Sequence, residues 1–143
     1  MRQAAVLFVS ATMVLAAAAG AVRADDLTGA DQLLCTAVQA TKCTDNGDCS
    51  QDLPWNLNVP QFIQVDLKAK RLSTTKASGE NRSTPIEYLK RENGLIVLQG
   101  FERGRAFSFV IGEATGMLSA AVAAEGRAVV VFGACTTMPA GTH

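Results

Sequence analysis

Apolar residues follow three different patterns along the chain, and each pattern predicts a different structure. Residues 4–19 are almost entirely apolar and follow the positive charge of Arg2, while Val22-Arg23-Ala24 offers the residues at which a signal peptidase cleaves. This first pattern predicts a signal peptide over residues 1–24. Removing 24 of the 143 residues leaves 119, which suits a single β-rich domain over residues 25–143.

The second pattern has the spacing of an amphipathic helix. Thr28-Gly29-Ala30-Asp31 has the form of a helix start with a capping hydroxyl. Apolar or half-apolar residues then recur at intervals of three and four positions. They are Ala30, Leu33, Leu34, Ala37, Val38 and Thr41. We therefore predict a helix over about residues 29–42, which must pack on the rest of the chain because it is too short to be stable alone.

The third pattern begins after a loop predicted over residues 43–60, which contains turn-forming residues and two prolines. Apolar and polar residues then alternate, and Asn93-Gly94 is a strong hairpin signal. Residues 61–135 therefore form a predicted meander, followed by a short tail over residues 136–143. Residues 117–124 would also suit a helix, but flanking glycines and short length favour a strand. Strands are expected near residues 61–68, 71–77, 84–91, 95–101, 105–111, 116–123 and 127–134.

These seven strands have no long crossovers between them, so the sheet should be antiparallel. A flat sheet of seven strands would expose two long edges, which favours curling. The predicted fold class is mainly β, with an antiparallel meander of about seven strands that curls into a barrel or half-barrel. The N-terminal helix is expected to pack on it. Phe107 and Phe109, on one face of one strand, should lie in the core or the lumen.

Four cysteines follow the predicted signal peptide, an even number that predicts two disulfides in an oxidising compartment. If the helix continues between Cys35 and Cys43, their Cα atoms are about 12 Å apart, which is beyond the reach of a disulfide. We therefore predict the pairs Cys43–Cys49 and Cys35–Cys135. The mature protein is expected to be periplasmic or secreted, with no membrane attachment once the signal is cleaved.

Few residues suit catalysis or metal binding. The only histidine is His143, so Ser-His and Cys-His pairs and most zinc sites are not expected. Asp45, Asp48 and Asp52 lie near Gly47, but their spacing does not match a calcium-binding EF-hand loop. The carboxylates left as acid or base candidates favour a solvated surface over a catalytic pair. They are Asp66, Glu87, Glu92, Glu102, Glu113 and Glu125. We expect a protein that is not an enzyme, with no metal and no cofactor.

Charge is distributed unevenly. Residues 25–67 hold seven acidic and one basic residue, whereas residues 68–105 hold nine basic and four acidic residues. The basic residues fall mostly at predicted strand ends, where they either keep turns and sheet edges soluble or form a rim that attracts an acidic partner. Candidate ligand or partner contacts on this basis are Lys70, Arg71, Arg82, Arg103 and Arg105. Aromatic residues do not alternate with the basic ones, so nucleic-acid binding is not expected.

Trp55 is the only tryptophan and lies in the loop between Pro54 and Pro60. This position is compatible with two roles: the ring either caps one end of the core or lies in the mouth of a ligand site. We include Trp55 among the candidate contacts.

Four stretches near the end of the chain carry a resemblance to other proteins: Leu98-Gln99-Gly100-Phe101, residues 105–111, Thr115-Gly116-Met117-Leu118 and residues 131–135. They resemble a group of small exported bacterial proteins of unknown function, which implies no activity or ligand. More remotely, the chain resembles the periplasmic lysozyme-inhibitor barrels, which are also short, exported, β-rich and disulfide-bearing. Here Glu80-Asn81-Arg82 follows Ser78-Gly79 in place of the tyrosine-bearing part of their inhibitory loop.

Taken from the sequence, the expected function is that of a non-enzymatic binding module for a small apolar ligand or a partner protein. This expectation rests on a curled meander that lacks nucleophile and metal chemistry, because such barrels offer a concave apolar mouth. The alternative is an inhibitor or interaction protein that presents basic hairpin loops, as the lysozyme-inhibitor resemblance implies.

Overall fold

A computed structural model describes residues 25–138 as one antiparallel sheet of ten strands. The predicted signal peptide and His143 lie outside the described residues. The ten strands are β1 Gln32–Thr44, β2 Cys49–Asp52, β3 Phe62–Asp66, β4 Arg71–Thr74, β5 Ser83–Pro85, β6 Tyr88–Glu92, β7 Leu95–Glu102, β8 Arg105–Gly112, β9 Met117–Ala124 and β10 Arg127–Thr137. Two short 3₁₀ helices cover Pro54–Leu57 and Lys76–Ser78.

Nine of the strands form a continuous path that curls into a half-barrel, in the order β5-β4-β3-β1-β10-β9-β8-β7-β6, with β2 paired to one end of β1. The two ends of this path meet at residues 86–87. The Ile86 backbone N–H donates to the Lys70 carbonyl, and the Glu87 N–H donates to the Gln99 carbonyl, both at 2.9 Å. The segment from β5 to β6 therefore contacts both β4 and β7.

The core occupies the concave side of the sheet, as the alternation of apolar and polar residues predicts. Leu33, Val65, Ile96, Leu98 and Ile111 are fully buried there. Leu27 is also fully buried. It lies at the C-terminal end of β8, where its N–H donates to the Glu113 carbonyl at 2.8 Å. The chain before β1 therefore closes this end of the half-barrel.

The predicted helix over residues 29–42 is wrong, because this segment is the long central strand β1. A β-bulge at Val38 shifts the register against β10, and the buried positions of β1 are Leu33, Cys35, Ala37 and Ala40. The helix prediction counted Leu34 and Val38 on the apolar stripe, but neither is buried, and Val38 is 66% exposed. Residues 25–138 contain no α-helix. Pairing with β10 on one side and with β3 and β2 on the other outweighs the weak local helix preference.

The meander is largely as predicted, with differences in number. Each of the seven predicted strands is present, and residues 117–124 form strand β9. The prediction of about seven strands is too low: β1 and β2 were not predicted as strands, and the strand expected over 84–91 is divided into β5 and β6. Pro85 ends β5, because proline has no N–H with which to continue the ladder.

Both predicted disulfide pairs are present. Cys35 lies directly opposite Cys135 in the pairing of β1 with β10, and Cys43 lies opposite Cys49 in the pairing of β1 with β2. The first pair therefore joins two neighbouring strands and does not attach a helix to the sheet. Two disulfides fit an exported protein, because such bonds persist in oxidising compartments. Within residues 25–138 no helix is both long enough and apolar enough to cross a membrane.

Candidate functional site

The concave side of the half-barrel contains a cavity of about 360 Å³. Its floor comes from the inward positions of β8, β9 and β10, which are occupied by apolar side chains. They are Phe107, Phe109, Leu118, Ala120, Val122, Val129 and Val131. Ala120 lies between Phe109 of β8 and Val131 of β10 in the register of the sheet. Because a methyl group is small, alanine at this central position leaves space between larger neighbours.

The opposite wall of the cavity is formed by the chain between β2 and β4. Residues 56–60, which comprise the end of the first 3₁₀ helix and the three residues after it, line the cavity together with Ile63 and Leu72. The Ala37 N–H donates to the Gln61 carbonyl at 2.9 Å, which holds this segment against β1. The cavity thus lies between the sheet and a connecting loop, a common arrangement for a ligand site.

Charged side chains are concentrated at one end of the cavity. Arg127 pairs with Ala124, and Glu102 pairs with Arg105 in the next hairpin. The pairing of Ala106 with Ala123 places both pairs at the same end of the sheet. We call this end the mouth, and define it by the charged residues that line the cavity there: Lys42, Arg82, Glu102, Arg105 and Arg127.

On one side of the mouth the charges neutralise each other. Arg82 Nη2 donates to Glu102 Oε2 at 2.8 Å, and Arg105 Nη2 lies 3.4 Å from the same oxygen. Arg82 Nη1 also lies 3.6 Å from Glu80 Oε2. The hydrogen bond from Arg82 lowers the pKa of Glu102, although partial burial opposes this, and Thr84 and Arg105 add smaller contributions. The same hydrogen bond raises the pKa of Arg82.

On the other side of the mouth two cationic groups have no carboxylate partner within residues 25–138. Lys42 lies opposite Val129 in β10, and Arg127 is two residues before Val129. The two residues are therefore diagonal neighbours on the concave face, with Cβ atoms about 7 Å apart. Among the described residues, the basic members of all ion pairs are Arg82, Lys90, Arg91 and Arg105. Neither Lys42 nor Arg127 is one of them.

The predicted contact residues divide between the mouth and the outer surface. Arg82 and Arg105 line the cavity, whereas Lys70, Arg71, Arg103 and Trp55 do not. Arg71 donates to Ser83 Oγ at 2.9 Å.

Trp55 is 50% exposed and therefore neither caps the core nor lies in the cavity. Because Pro54 at the start of the 3₁₀ helix is buried while Trp55 is not, the proline and not the tryptophan anchors this segment.

Sequence reasoning did not identify Lys42 and Arg127 as site residues. Lys42 fell within the predicted helix, and Arg127 lies outside the basic region over residues 68–105. The two residues are brought close together by the register of β1 against β10, which pairs Thr44 with Arg127 and Lys42 with Val129.

The acidic residues of the turn between β1 and β2 are engaged locally. Asp48 Oδ2 accepts from the Asn46 amide at 2.7 Å. Asp52 Oδ1 accepts from the Asn56 side chain at 2.8 Å and from the Leu53 N–H at 2.7 Å, which together lower its pKa. No group of three or more potential ligand residues within residues 25–138 is arranged to hold a metal ion.

The outer face of β8–β10 is apolar as well, but it lies on the convex side of the half-barrel, away from the cavity. Val110, Met117, Val130 and Phe132 point outward and are each at least 38% exposed. The outward positions of β9 are methionine, serine and two alanines, so this face carries no charge there.

The apolar character of β9 on both faces explains why its sequence shows no alternation.

The sequence has no match among protein-family models or curated proteins.

Proposed function

We propose that this protein is an exported, non-enzymatic binding module that holds a small apolar ligand in the half-barrel cavity. The observation that carries the proposal is the unfilled space above Ala120, whose walls are mainly apolar. A volume of about 360 Å³ accommodates roughly a dozen non-hydrogen atoms, because a water molecule in the liquid takes about 30 Å³. The volume also falls at the small end of the range for ligand pockets.

The chemistry around the cavity supports binding more than catalysis. Of the six carboxylates considered as acid or base candidates, only Glu102 lines the cavity. Arg82 donates a hydrogen bond to Glu102 and lowers its pKa, which favours the ionised carboxylate. The same contact engages an oxygen that a catalytic acid or base would need. A carboxylate pair on either side of a substrate, as in glycoside hydrolysis, would need a second acid facing the cavity.

Two matched variants of β9 test this proposal. Ala120→Phe fills the cavity, whereas Ala121→Phe places the same ring on the exposed outer face. We expect 1-naphthylamine, an apolar fluorescent dye that is neutral at pH 7 and small enough for this cavity, to bind the purified wild-type protein and Ala121→Phe. Its affinity for Ala120→Phe should be at least tenfold lower. Thermal unfolding of each variant checks that the fold is retained, since overpacking costs about 1–3 kcal/mol.

Two results would contradict the proposal. One is the absence of dye binding to the wild type, and the other is equal binding to Ala120→Phe and wild type. Organic extraction of the purified protein, followed by mass spectrometry, identifies any ligand that remains bound through purification.

A second candidate function is that of an inhibitor or interaction protein, and the exposed basic turn residues favour it. Lys70 and Arg103 occupy turn positions with φ of 52° and 48°, and neither forms an ion pair among the described residues. Inhibition assays against lysozymes and pulldown from periplasmic extract test this function. Wild-type protein should inhibit or capture a partner, and Lys70→Gln with Arg103→Gln should not. Absence of both activities would remove the candidate.

A further inference from the structure

We infer that the ligand is an amphipathic anion, with an acid group held by Lys42 and Arg127 and a single apolar tail on the cavity floor. This inference rests on the proposed function, because it assigns the chemistry of a ligand in the same cavity. It starts from the five charged side chains of the mouth, of which four are cationic and one is a carboxylate.

The excess positive charge is located on one side of the mouth. Glu102 accepts from Arg82 at 2.8 Å and lies 3.4 Å from Arg105, and Glu80 lies 3.6 Å from Arg82, so two carboxylates balance those two guanidinium groups. Lys42 and Arg127 have no such partner among the described residues. Asp45 and Glu125, the acids in the nearest turns, do not line the cavity. Lys42 and Arg127 are therefore the cations lining the cavity that have no ionic partner among the described residues.

The position of these two cations suits a head group. Arg127 lies at the mouth, and Lys42 lies one row deeper, in register with Val129, Val122 and Phe107 of the cavity floor. Arg127 is exposed and Lys42 is half-buried, so a bound acid remains close to water. A carboxylate or phosphate between an ammonium and a guanidinium group gains charge-assisted hydrogen bonds. An apolar tail would then lie on valine and phenylalanine side chains.

Pairs of ligands that differ only in the head group separate this inference from the proposed function. Decanoate and decanol carry the same ten-carbon tail, and decanoate has 12 non-hydrogen atoms, close to the capacity estimated from the cavity volume. Both should displace the neutral dye from the wild type. We expect decanoate to bind about tenfold more tightly than decanol at low ionic strength, and this preference should diminish with added salt. Decyl phosphate distinguishes a phosphate head group from a carboxylate.

Charge-removal variants locate the head group. Lys42→Gln with Arg127→Gln should abolish the preference for decanoate while the affinity for decanol changes less than twofold. Lys68→Gln with Lys76→Gln removes the same charge from exposed positions outside the cavity, and should keep the preference. Unfolding curves of both double variants confirm that each is folded, and the comparison of acid with alcohol in the wild type requires no variant.

Each outcome has a distinct meaning. Equal binding of decanoate and decanol to the wild type overturns this inference and leaves the proposed function in place. A preference that persists without Lys42 and Arg127 overturns their assignment. Failure of both compounds and of the dye to bind the wild type overturns the proposed function and the inference together.

Discussion

Both sides of the cavity mouth contain cationic side chains, but those on one side are ion-paired, whereas those on the other side have no ionic partner among the described residues. At β1 and β10 the strands are joined by a long backbone ladder, interrupted by the bulge at Val38, and by the Cys35–Cys135 disulfide, while Lys42 and Arg127 form no ion pair among the described residues. In the described sheet β5 and β7 are not paired, and the Arg82–Glu102 ion pair joins the residue before β5 to the last residue of β7. At the mouth, an ion pair joins the two strands that are not paired, whereas Lys42 and Arg127, on two paired strands, have no ionic partner among the described residues.

Removal of the disulfide on the β1–β10 side should have the largest effect. Cys35→Ala with Cys135→Ala opens a loop of 100 residues, and the chain-entropy relation assigns this loop about 4–5 kcal/mol of stability. Cys43→Ala with Cys49→Ala opens a separation of only 6 residues, for which the same relation gives about 2 kcal/mol. Urea unfolding of both double variants measures the difference. An equal loss in the two variants would contradict this explanation.

Loss of the ion pair on the β5–β7 side should have a smaller effect. Glu102→Gln leaves Arg82 and Arg105 without their shared carboxylate, and we expect a loss of about 1 kcal/mol, as for partly buried charged hydrogen bonds. Lys42→Gln with Arg127→Gln should change the free energy of unfolding by less than about 0.5 kcal/mol. A larger loss in the second variant would show that Lys42 and Arg127 also stabilise the fold.

The dependence of stability on pH isolates the same ion pair. The pKa of Glu102 is lowered from its ordinary value of 4.5, chiefly by the hydrogen bond from Arg82. A carboxyl with a lowered folded pKa contributes stability above its unfolded pKa, and this contribution is lost as pH falls through the folded value.

The wild type should therefore lose more stability than Glu102→Gln when the pH is lowered from 6 to about 3. Asp26 and Asp52 also have lowered pKa values, but they are present in both proteins and cancel in the comparison. Parallel losses in the two proteins would contradict a stabilising role for the Glu102 carboxylate.

The sequence was sufficient to predict the parts of the fold that depend on local signals. Asn93-Gly94 predicted the turn between β6 and β7, and alternation predicted the strands from β3 onward. The cysteine pairs were predicted correctly, although the reasoning behind Cys35–Cys135 assumed a helix. What failed was β1, because Leu34 and Val38 completed a helix-like apolar stripe in the sequence although neither is buried in the strand, whose buried face includes Cys35.

The candidate site was only half predictable for a related reason. Arg82 and Arg105 lie in a basic region that composition alone reveals. Lys42 and Arg127 are 85 residues apart in the sequence, and only the pairing of β1 with β10 brings them together. Such a pair depends on strand register, which a single sequence does not specify when one of the strands is mistaken for a helix.

The central claim is that the concave face, and not the equally apolar outer face, binds the ligand. Methyl NMR spectra of the wild type with and without decanoate test it most directly, because β10 presents Val129 and Val131 to the cavity and Val130 to the outside. We predict shifts for the methyl groups of Val122, Val129 and Val131, with those of Val110 and Val130 unchanged. Shifts confined to the two outward valines, or no shifts at saturating decanoate, would contradict the account.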